Sequence, residues 1–325
     1  MNGRSLPPDL LDDEMKILYR IKERTEKGNS DNISRTKAYS AFFSVHPEIK
    51  WAFLASMVSR NAGWNMCDLQ GYWMPRILSP EYRHSLFMTY EEANWLIFRD
   101  AFPQLLLYHY STKLRVPLFH LSRYFCISGF MEEEWFRYWR DRDGTRLMYS
   151  QIINEQNLIE EPVIKNKNFK IPVFRSLLFN IQDHFHYSTV LFPTVNGELY
   201  GASVSKFRRT DARIELGKRL ASILFSKDLF QEFYLFSLKT EPTGSRYDYE
   251  RFFPYYKLRE TPFLRLAYPP ISHKNRSFGQ WDQKRKIKKS WFSPPSITEE
   301  VLLTSWYKEK QKQLQAAMAF GNYLL

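Results

Sequence analysis

Ile49-Lys50-Trp51-Ala52-Phe53-Leu54-Ala55-Ser56-Met57-Val58 is apolar almost all the way round a helical wheel. A helix with apolar groups on every side belongs in the centre of a large core, because any exposed face would leave oily surface in water. Pro47 suits a first helical position, so the spacing predicts a helix from Pro47 to Arg60. Gly63 stands where a left-handed residue would close a helix ending at Ala62. The fold class that follows is mainly α: a multi-helix globular bundle around a buried central helix.

Segments on either side read consistently with that. Leu11, Met15 and Leu18 recur at helical spacing within Pro8 to Lys27, and Asp9, Asp12, Asp13 and Glu14 fill the first turns, where acids complement the helix dipole. Gly28-Asn29-Ser30-Asp31-Asn32 reads as a stop and short linker, with Ser34 or Thr36 as the next cap. Thr89-Tyr90-Glu91-Glu92 matches a capping box and predicts a helix from Ala93 broken at Pro103, with Gln104 to Leu114 continuing the pattern. Further helices are expected over Phe130–Arg142, Thr145–Gln156, Asp211–Phe225, Leu229–Leu238 and from Ser296 to Phe320. One β signal stands out. Thr189–Val195 and Glu198–Val204 flank Asn196-Gly197, a pair favoured in type I′ hairpin turns, and Pro193 confines its strand to an edge. The implied organisation is an N-terminal helix and linker (1–33), a helical core carrying the hairpin (34–256), a basic irregular segment (257–295) and a C-terminal helix (296–325).

Composition supports this frame. Apolar residues make up 44% and aromatics 17% of 325 residues, ample for a core. Twelve glycines, where average usage predicts roughly 23, argue against folds built on tight turns or glycine-lined phosphate loops. The two cysteines, Cys67 and Cys126, form no C-x-x-C pair, and the chain start lacks an apolar signal core. A reducing, cytoplasmic location is the expectation. The charge of +12 is concentrated: Lys257 to Phe292 holds ten basic and two acidic residues, leaving +4 for all the rest. Such a balance suits an anionic partner, either nucleic acid or an anionic membrane surface.

No nucleotide loop, nucleophile elbow or zinc-protease motif is present. The S-x-x-K at Ser34–Lys37 and the H-x-E at His46–Glu48 lack the companion motifs their chemistries require. Asp183-His184-Phe185-His186 is the one histidine cluster. On a strand, His184 and His186 share a face and could ligate a metal near Asp183, although a satisfied surface or core histidine is the commoner outcome. No cofactor is indicated.

Two segments are left as places for function. The end of the central helix delivers Arg60, Asn61, Asn65 and Asp68 into or near the core, where polar groups must be paired. They either satisfy one another or, joined by Arg35, His46 and Glu48, line an enzyme's polar pocket, with Arg60 binding an anion and Asp68 or Glu48 acting as base. The second segment carries Lys274, Arg276, Lys284, Arg285, Lys286, Lys288 and Lys289 interleaved with Phe278, Trp281, Trp291 and Phe292. Cations there can neutralise phosphates while aromatic faces stack on bases or sit at a lipid interface; alternatively the aromatics pin the loop to the body. A binding protein using this segment is the leading expectation, and an enzyme using the polar cluster the alternative.

The run Ser34-Arg35-Thr36 through His46-Pro47-Glu48-Ile49 and Trp51 to Met66, with Phe192–Gly197 and Thr243–Tyr249 further on, resembles the YppC-like family of Bacillus-type bacteria, domain-of-unknown-function family 2515. The resemblance implies a bacterial cytoplasmic protein and carries no catalytic residue with it.

Overall fold

The computed structural model describes residues 12–166, 189–204, 206–255, 260–273, 280–296 and 300–321. In chain order the elements are α1 (Asp12–Gly28), α2 (Asn32–Val45), α3 (Lys50–Asp68), the single turn α4 (Met74–Ile77), α5 (Pro80–Leu114), α6 (Gly129–Asp141), α7 (Gly144–Leu158), β1 (Thr189–Pro193), β2 (Leu199–Ser203), α8 (Thr210–Leu224), α9 (Phe230–Lys239), the single turns α10 (Tyr247–Glu250) and α11 (Leu264–Ala267), and α12 (Thr304–Gly321). Helix dominates, and the described β structure is one antiparallel hairpin plus an isolated bridge.

α3 is the central helix. Every residue from Trp51 to Cys67 except Val58 is buried, and α2, α5, α7, α8, α11 and β1 pack around it. Phe53, Met57 and Trp64 are fully enclosed. Side chains of this size each contribute about 1.5–3 kcal/mol on burial. The α2–α3 contact is close because it is built from small and polar groups. Ser56 Oγ donates to the Thr36 carbonyl (3.0 Å), Thr36 Oγ1 to Ser59 Oγ (3.1 Å), and the Asn32 amide to the Ser59 carbonyl.

Several local expectations are corrected. α3 does not end at Ala62; it runs through Gly63 to Asp68. Gly63 is an interior helix residue, and a Cβ there would meet Asn32 Nδ2 (3.4 Å) and Gly244 Cα (3.5 Å) at ordinary contact distance. Pro47 lies in the turn before the helix, which starts at Lys50. α2 is capped by Asp31, which accepts from the Ser34 N–H, and neither Ser34 nor Thr36 is the cap. Thr89 caps nothing, and its hydroxyl donates to the Ser85 carbonyl inside α5. That helix starts from Ser79 and passes unbroken through Pro103. An interior proline costs about 3 kcal/mol. Burial of Phe98, Phe102, Leu105, Leu106 and Leu107 around it outweighs that cost. α12 begins at Thr304, eight residues after the expected cap at Ser296, because residues 301–304 are used by the hairpin.

The hairpin register pairs Thr189 with Ser203 and Pro193 with Leu199. Its connection is not a two-residue type I′ turn. The Thr194 N–H donates to the Glu198 carbonyl (2.9 Å), Gly197 N–H reaches back to Thr194 (3.3 Å), and Gly197 alone adopts positive φ, +81°. That is the three-residue loop, a type I turn followed by a left-handed residue. Neither strand edge is left open. Along β1, Asn61 of α3 stands in for a strand: its Oδ1 accepts from Leu191 N–H (3.0 Å) and its Nδ2 donates to the Thr189 carbonyl (3.4 Å). Along β2, Gly201 N–H donates to the Val301 carbonyl (2.9 Å) and Leu303 N–H to the Leu199 carbonyl (2.7 Å). Covering both edges removes the template for unwanted strand pairing.

Candidate functional site

The polar residues anticipated around the central helix are buried or partly buried, except the exposed Glu48, and they fall in four places. Arg35 is 1% exposed and grips Glu91 through both terminal nitrogens (2.8 and 2.5 Å), while its Nε donates to Asn29 (2.6 Å). His46 and Glu48 meet at 3.2 Å, and His46 Nε2 faces His109 Nδ1 at 2.9 Å. Tyr108 OH donates to Glu48 (2.9 Å). Burial, then the neighbouring His46, hold the His109 pKa below the ordinary histidine value. Asn61 belongs to β1, as described above.

Arg60, Asn65 and Asp68 converge with the 240–250 segment. Arg60 donates to the Thr240 carbonyl, stacks over Phe236 at 5.0 Å and lies 3.9 Å from Asp248. Burial pulls its pKa down to about 10, against the opposing pull of Asp248. Asp248 accepts from Trp64 Nε1 (3.1 Å) and from Thr243 Oγ1 (2.5 Å). Arg246 Nε donates to both oxygens of Asp68 (2.9 and 2.7 Å), Nη2 to Asn65 (2.9 Å) and Nη1 to Tyr249 OH (2.7 Å). Burial alone would lower the Arg246 pKa; Asp68 and the phenols Tyr249 and Tyr307 reverse that and raise it. The crevice beside this cluster, against Tyr72, Trp73 and Glu260, holds about 30 Å³. That is water-scale space.

The Arg35–Glu91 pair has a further partner that the sequence did not suggest. His273 lies flat on Trp95 (ring centroids 4.5 Å apart, 12° between planes), with Nε2 at Glu91 (3.0 Å) and Nδ1 at Glu92 (2.8 Å). Burial opposes its charge, yet Glu91 and then Glu92 overcome this and lift its pKa above the ordinary histidine value. Glu91 goes the other way: burial would raise its pKa, and Arg35 and His273 bring it below the usual carboxylate value. A raised histidine contributes stability that is complete below its unfolded pKa, about 6.5, and lost as pH rises through the folded value. A depressed carboxylate contributes above about 4.5 and fails in acid. Denaturant unfolding of the protein and of His273→Gln, measured across pH 5 to 9, should therefore differ most near neutrality and below. The difference should shrink as pH rises, and a constant difference would contradict the assignment.

The cationic segment is attached to the body by its aromatic residues. Trp281 and Trp291 are buried, and their indole N–H groups donate to Asn154 (2.8 Å) and Asp211 (2.7 Å). Asp282 accepts from Phe130 N–H at the start of α6 (2.8 Å), and Arg146 lies 4.3 Å over Phe292. Arg285 is drawn inward to Asn157 (2.9 Å), Thr210 (3.2 Å) and Glu160 (3.3 Å), and Lys288 pairs with Asp211 (2.8 Å). Lys284, Lys286 and Lys289 are exposed and make no ion pair among the described residues. Thr210 and Asp211 open α8, so these contacts bring the exposed Lys206, Arg208 and Arg209 alongside. That second basic run, short and 75 residues upstream of Lys284, shows up as part of the face only after folding. Lys274, Arg276 and Phe278 lie outside the described residues, as do Asp183, His184 and His186. Among the described residues no cluster of three or more histidine, cysteine or carboxylate groups could hold a metal ion, and no helix is long and apolar enough to cross a membrane. Cys67 and Cys126 are free thiols, the first buried and the second exposed.

A helical body with a buried central helix, a covered hairpin and a tied-down basic segment thus defines this class, and the chain belongs to the protein family of unknown function DUF2515, whose model matches residues 27–320. It is 47% identical over 310 residues to the uncharacterized protein YppC of Bacillus subtilis (strain 168), covering 95% of this chain and 96% of that protein. No solved structure matches.

Proposed function

We propose that this protein binds a nucleic-acid backbone through the basic face formed by Lys284, Lys286, Lys288 and Lys289 together with Lys206, Arg208 and Arg209. The observation that supports this reading is the meeting of two basic runs distant in sequence, with three of the lysines exposed and outside any described ion pair. Two tryptophans that could have stacked on bases or anchored in a lipid interface are buried with their N–H groups engaged. That leaves charge as the means of recognition, which suits phosphates in a duplex better than unstacked bases or acyl chains. Binding of this kind carries little sequence preference and a steep salt dependence.

Fluorescence anisotropy of a labelled duplex oligonucleotide tests it. Binding should weaken steeply between 50 and 200 mM salt. Lys284→Glu, Lys286→Glu and Lys289→Glu together should weaken it across all sequences and flatten the log–log salt slope by about 0.9 per lost contact. No binding at low salt, salt-independent binding, or binding to anionic vesicles but not to the duplex would each reject it. The alternative, an enzyme working in a polar pocket at the C-terminal end of α3, has weaker support. Arg60, Asn65 and Asp68 are engaged with residues 240–246, and the space beside Asp68 is only about 30 Å³. A larger cavity of about 180 Å³ meets the candidate cluster at Arg35, Asn61 and Asn65 without reaching Arg60 or Asp68.

A further inference from the structure

One contact between two histidines ties the corner between α2 and α3 to α5. His46 closes α2: its N–H donates to the Phe42 carbonyl, and its own carbonyl accepts from Ile49 N–H, each at 3.0 Å. The Ile49 carbonyl in turn accepts from Ala52 N–H in the first turn of α3 (3.0 Å). The His46 ring is buried, lies against Phe42 (4.9 Å between centroids) and meets Tyr108 of α5 edge-on (5.3 Å). Both of its nitrogens are engaged. Nδ1 faces Glu48 Oε1 (3.2 Å), and Nε2 faces Nδ1 of His109 on α5 (2.9 Å). The His109 ring is only partly buried.

Two nitrogens 2.9 Å apart have room for one hydrogen between them and not for two. With both rings neutral, Glu48 holds the His46 hydrogen on Nδ1, so His46 Nε2 is a bare acceptor and His109 Nδ1–H donates to it. A first added proton is accommodated. The shared hydrogen shifts onto His46 Nε2, the incoming proton lands on His109 Nε2, and the His46 cation donates to Glu48 on one side and His109 on the other. A second proton sets N–H against N–H and cation against cation, and the contact must part. The surroundings work against that second charge. Burial, then His46, Arg24 of α1 and Lys113 of α5 all favour a neutral His109. Glu48 Oε1 already faces His46 and accepts from Tyr108 OH (2.9 Å), while Tyr138 and Arg142 of α6 bear on Tyr108 and Glu48. We propose that the His46–His109 contact is an acid-operated latch. It stays closed while the pair carries at most one added proton, and the second proton opens it by turning the less buried His109 ring out to water, which frees the α2–α3 corner from α5.

In the open form His109 titrates as an ordinary histidine, near 6.5, and in the closed form it resists protonation to lower pH. The opening equilibrium is therefore level above about pH 6.5 and rises toward tenfold per pH unit below it, until the closed pair itself takes the second proton. The sign is opposite to that of His273, whose contribution is lost as pH rises. Ring resonances of histidine-labelled protein between about pH 8 and pH 5, with amide exchange at Ile49 and Ala52 over the same range, test the latch. The pair should titrate in two steps, the second at His109 and below the ordinary value. Exchange at both amides, corrected for its intrinsic pH dependence, should accelerate with that second step. His109→Asn puts a side-chain amide near the place of Nδ1, able to donate to His46 or accept from it but unable to take a proton. That variant should lose the acid step and keep both amides protected at pH 5. If it fails to fold, the wild-type titration still decides. Two rings titrating independently at the ordinary value would overturn the latch. So would unchanged protection of Ile49 and Ala52 between pH 7 and pH 5, or an acid step that persists in a folded His109→Asn.

Discussion

Arg246→Ala should remove about 3–5 kcal/mol of folding stability, the range for breaking a buried ion pair by deleting one partner. The side chain is 4% exposed and all three guanidinium nitrogens are engaged, with Asp68, Asn65 and Tyr249. Truncation would leave the Asp68 charge and the Asn65 carbonyl without those donors, in a crevice too small for more than a water to replace them. Against a typical total of about 5–15 kcal/mol, that is a large fraction. Lysine is a poor substitute, because one ammonium cannot reproduce donors directed along three lines. Urea denaturation of Arg246→Ala and Arg246→Lys checks this. A loss below about 1 kcal/mol in the alanine variant would show that the cluster at the end of α3 does not hold the 240–250 segment in place.

The second large effect is expected at Gly201. Its φ is +159°, and a Cβ there would lie 1.9 Å from the carbonyl oxygen of Val190 and 3.0 Å from its carbon. Both obstacles are backbone of the paired strand, so no side chain can swing aside. Its N–H is also the donor that ties residue 301 to β2. Gly201→Ala must therefore open the hairpin, release the 301–304 crossing, or both, at a cost of at least about 3 kcal/mol, the upper end for overpacking. Thermal melting together with amide exchange at Leu191 and Leu303 would measure it. Unchanged protection at both positions would contradict the packing described.

Much of the architecture was legible because burial leaves a pattern in the chain. The run Trp51 to Val58, apolar on all sides, has only one stable location, and the helices over 130–141 and 211–224 follow from their helical spacing. Errors arose where a local rule competed with a tertiary contact. Gly63 reads as a helix terminator, yet it keeps helical backbone inside α3, where burial on all sides carries the helix on to Asp68. Pro103 reads as a break, yet it sits among buried Phe and Leu that hold both halves of α5 in line.

The candidate sites were legible only in part, and for a related reason. Sequence marks which residues are polar but not which partners they find. Arg35 and Arg60 were singled out together, and the fold sends one to Glu91 and the other to Thr240 and Asp248. His273 gave no signal at all, since it looks like an ordinary loop histidine until the fold sets it against Glu91 and Glu92 of α5.

The sequence by itself determined a helical bundle, a central buried helix, one hairpin and a concentrated positive charge, because these depend on periodicity, turn chemistry and composition. Tertiary structure alone decided how far the central helix runs, which cations stand exposed beside Lys206–Arg209, and which partners the buried Arg35, Arg60 and Arg246 find. Those outcomes depend on pairings across as many as 202 residues of chain, and hydrogen bonds and ion pairs at such separations leave no local trace.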